Sequence, residues 1–248
     1  IYPGENINKA FTPVVHYFTK EWIKMGYEVK VVHNMAYYPK IFYFLLSLFS
    51  DLIASFFGTN VPEKRISNGD KYNLDGVEII RLPIFKRFPK YRFSKKIIKN
   101  QEEKILKELK ETNYIPDIIV GHWGNPQLEL ISLLKKKFPD CLTSLIFHLK
   151  ANYLLDLYKN DTRALLNNIN VLGFRSNAIK ESFRQLDINL DNSFMCYSGI
   201  PKKFTQEKIS KNFNAKLKNF LFVGVLIKRK YPSQIIDALD MVYKKGNF

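Results

Sequence analysis

A chain of 248 residues with 46% apolar side chains can bury one large core or two modest ones, which excludes a disordered chain. Its formal charge of +16, from 39 Lys and Arg against 23 Asp and Glu, attracts nucleic acid, anionic lipid or phosphorylated ligands without choosing among them. The two cysteines, Cys141 and Cys196, lie in or beside apolar strand candidates and favour reduced core residues over a disulfide framework.

The opening IYPGE reads as the tail of a strand followed by a turn, so an upstream start is expected. Thr12 and Pro13 suit the N-cap and first position of a helix carrying Val14, Val15, Phe18, Trp22 and Met25. Gly26 ends that helix, and residues 27–33 follow as a strand. Turn, helix, glycine and strand make half of a doubly wound unit. His16 and His33 belong to these elements and are expected to be structural.

Residues 41–57, IFYFLLSLFSDLIASFF, are apolar apart from Ser and one charge, Asp51. A spanning helix needs about 20 residues with almost no charge, so this run falls short. A buried helix near a domain mouth and a helix lying in the bilayer interface both remain open. Residues 59–73 read as a loop, and 77–82 as a strand stopped by Pro83. From residue 81 to 111 eleven basic side chains face four acidic ones. A solvated face explains such a run without any ligand. With 20 Phe and 14 Tyr in the chain, the other explanation is a membrane surface. Ile97, Ile98, Ile105, Leu106 and Leu109 mark a long helix within this basic run.

The stretch that organises the chain begins at residue 117. Residues 117–121 and 142–147 are short Ile-, Val- and Leu-rich strand candidates, separated by Leu128, Ile131, Leu134 and Phe138 at helical spacing. Each strand runs into a histidine, His122 and His148, two of only four in the chain. Open parallel sheets bind ligands outside the carboxyl ends of their strands, so both rings fall where such a fold does its chemistry. Gly121 and Gly124 keep backbone close to whatever lies near His122. Trp123 either stacks on a sugar ring or plugs the core. A metal pair would want further ligands, and no Asp, Glu or Cys cluster supplies them, so no metal is expected. For His148 the plainer alternative is a ring packed against Tyr153.

Helical patches follow over 153–168, then a strand over 171–174, and a helix capped by Ser176 and running through Leu186. Residues 192–197 form another strand candidate, closed by Ser198, Gly199 and Pro201. A polar linker precedes NFLFVGVLIKRK and a helix with Ile235, Ile236, Leu239 and Val242 on its buried side. The expected division is a domain over 1–203, a linker over 204–218, and the first strand and helix of a second domain over 219–248. In VGVLIKRK, Gly224 lacks the further glycines of a dinucleotide fingerprint and the ending of a P-loop. Lys228, Arg229 and Lys230 nonetheless add three cations near a helix start, where a diphosphate can be held; an ordinary solvated loop is the alternative.

Taken in order, PGE with its helix and GYEVKVV, then DIIVGHWG, LIFH, FRSNAIKESF, YSGIP and FLFVGVLIKRK resemble the family 4 glycosyltransferases. The resemblance implies an α/β chain with the GT-B fold: a Rossmann-like acceptor domain with a parallel sheet, followed by the truncated start of a Rossmann-like donor domain. It implies a retaining, metal-independent transfer of sugar from a nucleotide-sugar donor, with no other cofactor, to a saccharide or lipid-linked acceptor. On that resemblance Gly4 matches the glycine loop near the donor phosphates, and His148 the histidine beside the transferred sugar. His122 and Trp123 fall on the acceptor side. Gly224 and Lys230 match two parts of the diphosphate grip, while Val225 stands where the family has arginine, and Arg229 is the candidate substitute. The family's paired glutamates lie beyond the end of this chain, so the segment alone is expected to be inactive. The implied role is polysaccharide, capsule or lipopolysaccharide assembly in the cytoplasm, at the inner face of the membrane. A non-catalytic Rossmann-like module bound to membrane or anionic ligands is the main rival. A nicotinamide dehydrogenase is a weaker one, for want of the fingerprint glycines. No recognition helix, finger or aromatic RNA-binding sheet motif supports a nucleic-acid partner.

Overall fold

The computed structural model describes residues 14–48, 65–88, 91–197 and 231–245. It divides into two compact units, Ile1–Gly199 and Ile200–Phe248. The fold class is mixed α/β and Rossmann-like, with parallel strands alternating with helices.

In the first unit α1 (Val14–Lys24) precedes β1 (Lys30–Tyr37), and Gly26 turns the chain between them at φ +92°. The strand starts three residues later and ends four residues later than the expected 27–33. α2 (Lys40–Leu48) covers the first half of the apolar run; the rest of that run lies outside the described residues. Among the described residues no helix is long and apolar enough to cross a membrane.

The supposed loop over 59–73 ends in a strand. β2 (Asp70–Leu74) pairs antiparallel with β3 (Val77–Phe85) across Asp75 and Gly76, both at positive φ. Such a two-residue Asp-Gly turn matches the twist of a hairpin. Nor does Pro83 stop β3. Lys86 N–H donates to Tyr37 O, so by strand alternation Pro83 turns its missing donor away from β1. On that far side β2 has already ended, at Asp70 opposite Arg81. The missing N–H therefore breaks no ladder.

α3 (Lys95–Glu111) is capped by Ser94, which accepts from Ile97 N–H, and it packs Ile98, Ile105 and Leu109 against β3. The central stretch folds as β4 (Ile118–His122), α4 (Gln127–Lys137) and β5 (Leu142–Phe147). α5 (Asn152–Tyr158), α6 (Asp161–Leu166), β6 (Val171–Phe174), α7 (Asn177–Arg184) and β7 (Ser193–Met195) complete the unit. Ser176 caps α7 as expected, although the helix stops at Arg184, short of Leu186. The sheets are β1-β3-β2, with β1 and β3 parallel, and an all-parallel β4-β5-β6-β7.

In the second unit α8 (Pro232–Lys244) leaves Ile235, Ile236 and Val242 exposed and buries no residue fully, contrary to the buried side expected of it. The expected linker, strand and cation turn before it lie outside the described residues.

Candidate functional site

Parallel strands β4, β5 and β6 end on one side of their sheet, and each delivers a polar side chain there. His122 is the last residue of β4, His148 follows Phe147 of β5, and Arg175 follows Phe174 of β6. Phe147 and Phe174 are register partners and stack at 5.8 Å, while Phe183 of α7 packs against both at 4.5 and 5.1 Å. This buried aromatic cluster fixes where the next residue of each strand emerges.

His122 Nδ1 and His148 Nε2 are 3.2 Å apart, so one ring donates and the other accepts. Trp123 stacks on His148 with centroids 4.3 Å apart and planes 19° apart. The indole thus covers one face of the imidazole, and the packing partner of His148 is Trp123 where Tyr153 was the alternative expected. Phe18 of α1 stacks on His122 at 5.9 Å. Trp123 adopts φ +64°, a left-handed conformation rare for a bulky residue, and such strain tends to gather at functional sites.

Burial lowers the His122 pKa to about 3, with His148 and Arg175 adding to the effect. His148 is lowered to about 4, by burial first and then by Arg175. Both rings are therefore neutral near pH 7. A proton shared between two neutral imidazoles couples their tautomers. When His122 Nδ1–H donates to His148 Nε2, His148 keeps its own Nδ1–H free to donate elsewhere. Among the described residues His122 Nε2 and Arg175 Nη1 are buried with no hydrogen-bond partner. A half-buried guanidinium group with one buried, unused donor beside two imidazoles suits an oxygen-rich anionic ligand.

The glycines serve packing more than ligand approach. A Cβ on Gly121 would meet Ile131 Cδ1 at 2.5 Å and Leu145 Cδ1 at 2.9 Å, and one on Gly124 would meet Leu154 Cδ2 at 2.5 Å. Both let core side chains close in under the site. Of the other two histidines, His16 reaches Asp75 at 3.1 Å and ties α1 to the hairpin turn, while His33 is lowered to about 3 by burial. Among the described residues no group of three or more His, Cys, Asp or Glu is arranged to hold a metal ion.

The structure thus brings His122, Trp123 and His148 together. Gly4, Gly224, Arg229 and Lys230 lie outside the described residues. Arg175 was not singled out from sequence. Its signal was a polar residue directly after an apolar strand, the same pattern that drew attention to the two histidines. The chain's sequence matches no known family profile and no curated protein.

Proposed function

We propose that the protein is a retaining glycosyltransferase that moves a sugar from a nucleotide-sugar donor to a saccharide or lipid-linked acceptor in surface polysaccharide assembly. The observation that carries this reading is the neutral His148 ring at the carboxyl end of β5, bonded to His122, stacked on Trp123 and close enough to Arg175 to feel its charge. The ordered series of segments resembling family 4 glycosyltransferases supports it.

In this reading His148 donates a hydrogen bond to a hydroxyl of the transferred sugar and supports the charge that develops as the anomeric carbon–diphosphate bond breaks. The acceptor oxygen bonds to that carbon on the same face, and its proton passes to the departing phosphate oxygen. His122 holds the His148 tautomer, Trp123 holds its plane, and Arg175 adds positive charge toward the diphosphate. Gly4, Gly224, Arg229 and Lys230 are the donor-side residues of the same reading. The reaction belongs in the cytoplasm at the inner membrane face. Incubating the complete protein with a panel of nucleotide sugars and lipid-linked acceptors tests it: transfer with retained anomeric configuration is expected, and failure to bind any nucleotide sugar ends the reading.

A second reading, a membrane-bound module without catalysis, is favoured by α2. There Ile41, Phe44, Leu45 and Leu48 recur at helical spacing and are all exposed.

A further inference from the structure

Trp123 stacks on His148 while its own backbone keeps the left-handed conformation, so whatever holds the peptides on either side of it also holds the indole against the imidazole. On the amino side, Trp123 N–H donates to Ile146 O of β5 at 2.9 Å. On the carboxyl side, Gly124 O accepts from Leu128 N–H of α4 at 2.8 Å. These two bonds tie the turn to a strand and a helix. They leave its middle, Gly124 and Asn125, to be held by side chains.

Helix α5 supplies that hold. Leu154 and Tyr158 are four residues apart, so one helical face carries both toward the turn. Leu154 Cδ2 fills the space that a side chain on Gly124 would need. The Tyr158 hydroxyl lies 3.5 Å from both Gly124 O and Asn125 Oδ1 and shares its proton between them. Tyr158 is fully buried, and that burial raises its pKa, so the phenol keeps its proton and remains a donor. The ring itself is clamped. The Arg92 guanidinium group lies 4.9 Å over it and bridges Glu129 of α4 and Asp161 of α6 at 2.8 and 2.7 Å.

Asn125 closes the arrangement. Its Nδ2 donates to Tyr91 O at 3.4 Å, one residue before Arg92. Burial raises the pKa of Tyr153, also on α5, and the Asn125 side chain counters part of that rise. One amide thus meets the segment at residue 91 and two phenols of α5. Neither Gly124 nor Pro126 has a polar side chain to do the same. Bonds of 3.4 and 3.5 Å are long, so each alone is weak and the turn is fixed by the set.

We propose that Asn125 and Tyr158 are the positioning pair of the candidate site: together they hold the turn that sets Trp123 against His148, without touching substrate themselves. The consequence for sugar transfer rests on the glycosyltransferase reading.

The test reads the His148 ring protons by NMR in the full chain, where the stacked indole shifts them upfield, with Trp123→Leu defining complete loss of that shift. Asn125→Ala is expected to remove at least about half of it. Tyr158→Phe, which keeps the ring under Arg92 and deletes one oxygen, is expected to remove a smaller part. Asp70→Ala weakens the fold away from the turn and is expected to leave the shift unchanged. An unchanged shift in Asn125→Ala or, should that variant not fold, in Tyr158→Phe overturns the proposal. An equal loss in Asp70→Ala overturns it too, by reducing the effect to general stability. In transfer assays Asn125→Ala is expected to lower kcat about tenfold or more with donor KM unchanged. The ring signal needs no sugar donor, so a parent protein without transfer ends the functional reading while the shift still decides the positioning.

Discussion

At the scale of single residues, burial decides which charges the molecule tolerates. His33, His122 and His148 each have a folded pKa far below the unfolded value of about 6.5. Such a group takes a proton more readily in the unfolded chain. Stability is therefore intact above about pH 6.5 and falls as the pH drops toward the folded values of about 3 to 4. At about pH 5 each buried ring costs about 1–2 kcal/mol, His148 least because part of it reaches solvent. The urea midpoint is expected to fall between about pH 7 and pH 5, and His122→Asn is expected to flatten that slope without abolishing it. Parallel curves for the variant and the parent protein would contradict this account. Arg81 is the opposite case, a cation only 2% exposed, held by Asp70 at 2.7 Å and lying 4.7 Å over the Tyr72 ring. Asp70→Ala leaves that guanidinium group buried without its carboxylate and is expected to cost about 2–3 kcal/mol in urea unfolding. A loss below about 0.5 kcal/mol would show that water reaches Arg81.

At the scale of elements, the basic run and the apolar run have to be read together. Several of the cations counted between residues 81 and 111 are engaged inside the molecule. Arg81 pairs with Asp70, Arg92 bridges Glu129 and Asp161, and Lys86 is lowered to about 8 by burial over Phe93. Arg87, Lys95, Lys96 and Lys99 remain exposed. The loop after β3 and the start of α2 leave the sheet at the same end, since Tyr37 and Phe85 are register partners. The exposed Phe88 and Tyr91 therefore emerge from the same sheet end as the apolar stripe of α2. We propose that this surface meets anionic lipid. Co-sedimentation with phosphatidylserine vesicles at low salt is expected to exceed that with neutral vesicles and to drop with Phe44→Ser and Leu48→Ser together. Equal recovery on both vesicle types would remove the electrostatic part of the claim. The hairpin at Asp75-Gly76 was legible in sequence, because Asp-Gly between two short alternating runs is a strong local signal. Local composition hides β2, because residues 59–73 are polar, charged and glycine-containing; β2 is an edge strand whose alternate residues face solvent. The course of β3 through Pro83 was not legible. It depends on which neighbour has ended at that point, a fact of pairing and not of local composition.

At the scale of the whole molecule, the alternation of apolar strands with helices reveals the Rossmann-like class, and the polar residues at strand ends mark the candidate site. What sequence could not supply was adjacency. Arg175 joins the histidines because β6 pairs with β5, from Ser144 opposite Val171 to Phe147 opposite Phe174. Likewise Arg92 is engaged by carboxylates 37 and 69 residues further along. Trp123 stacks on His148, a contact visible only once the two strand ends stand together. The central claim is that His148 acts at the chemical step of glycosyl transfer. The most direct measurement is turnover of His148→Ala in the full-length protein, with a nucleotide sugar and its acceptor, alongside melting and donor binding. A loss of about 100-fold in kcat, worth roughly 3 kcal/mol of transition-state stabilisation, with unchanged melting and donor affinity is the predicted result. Full turnover in a folded variant would contradict the claim.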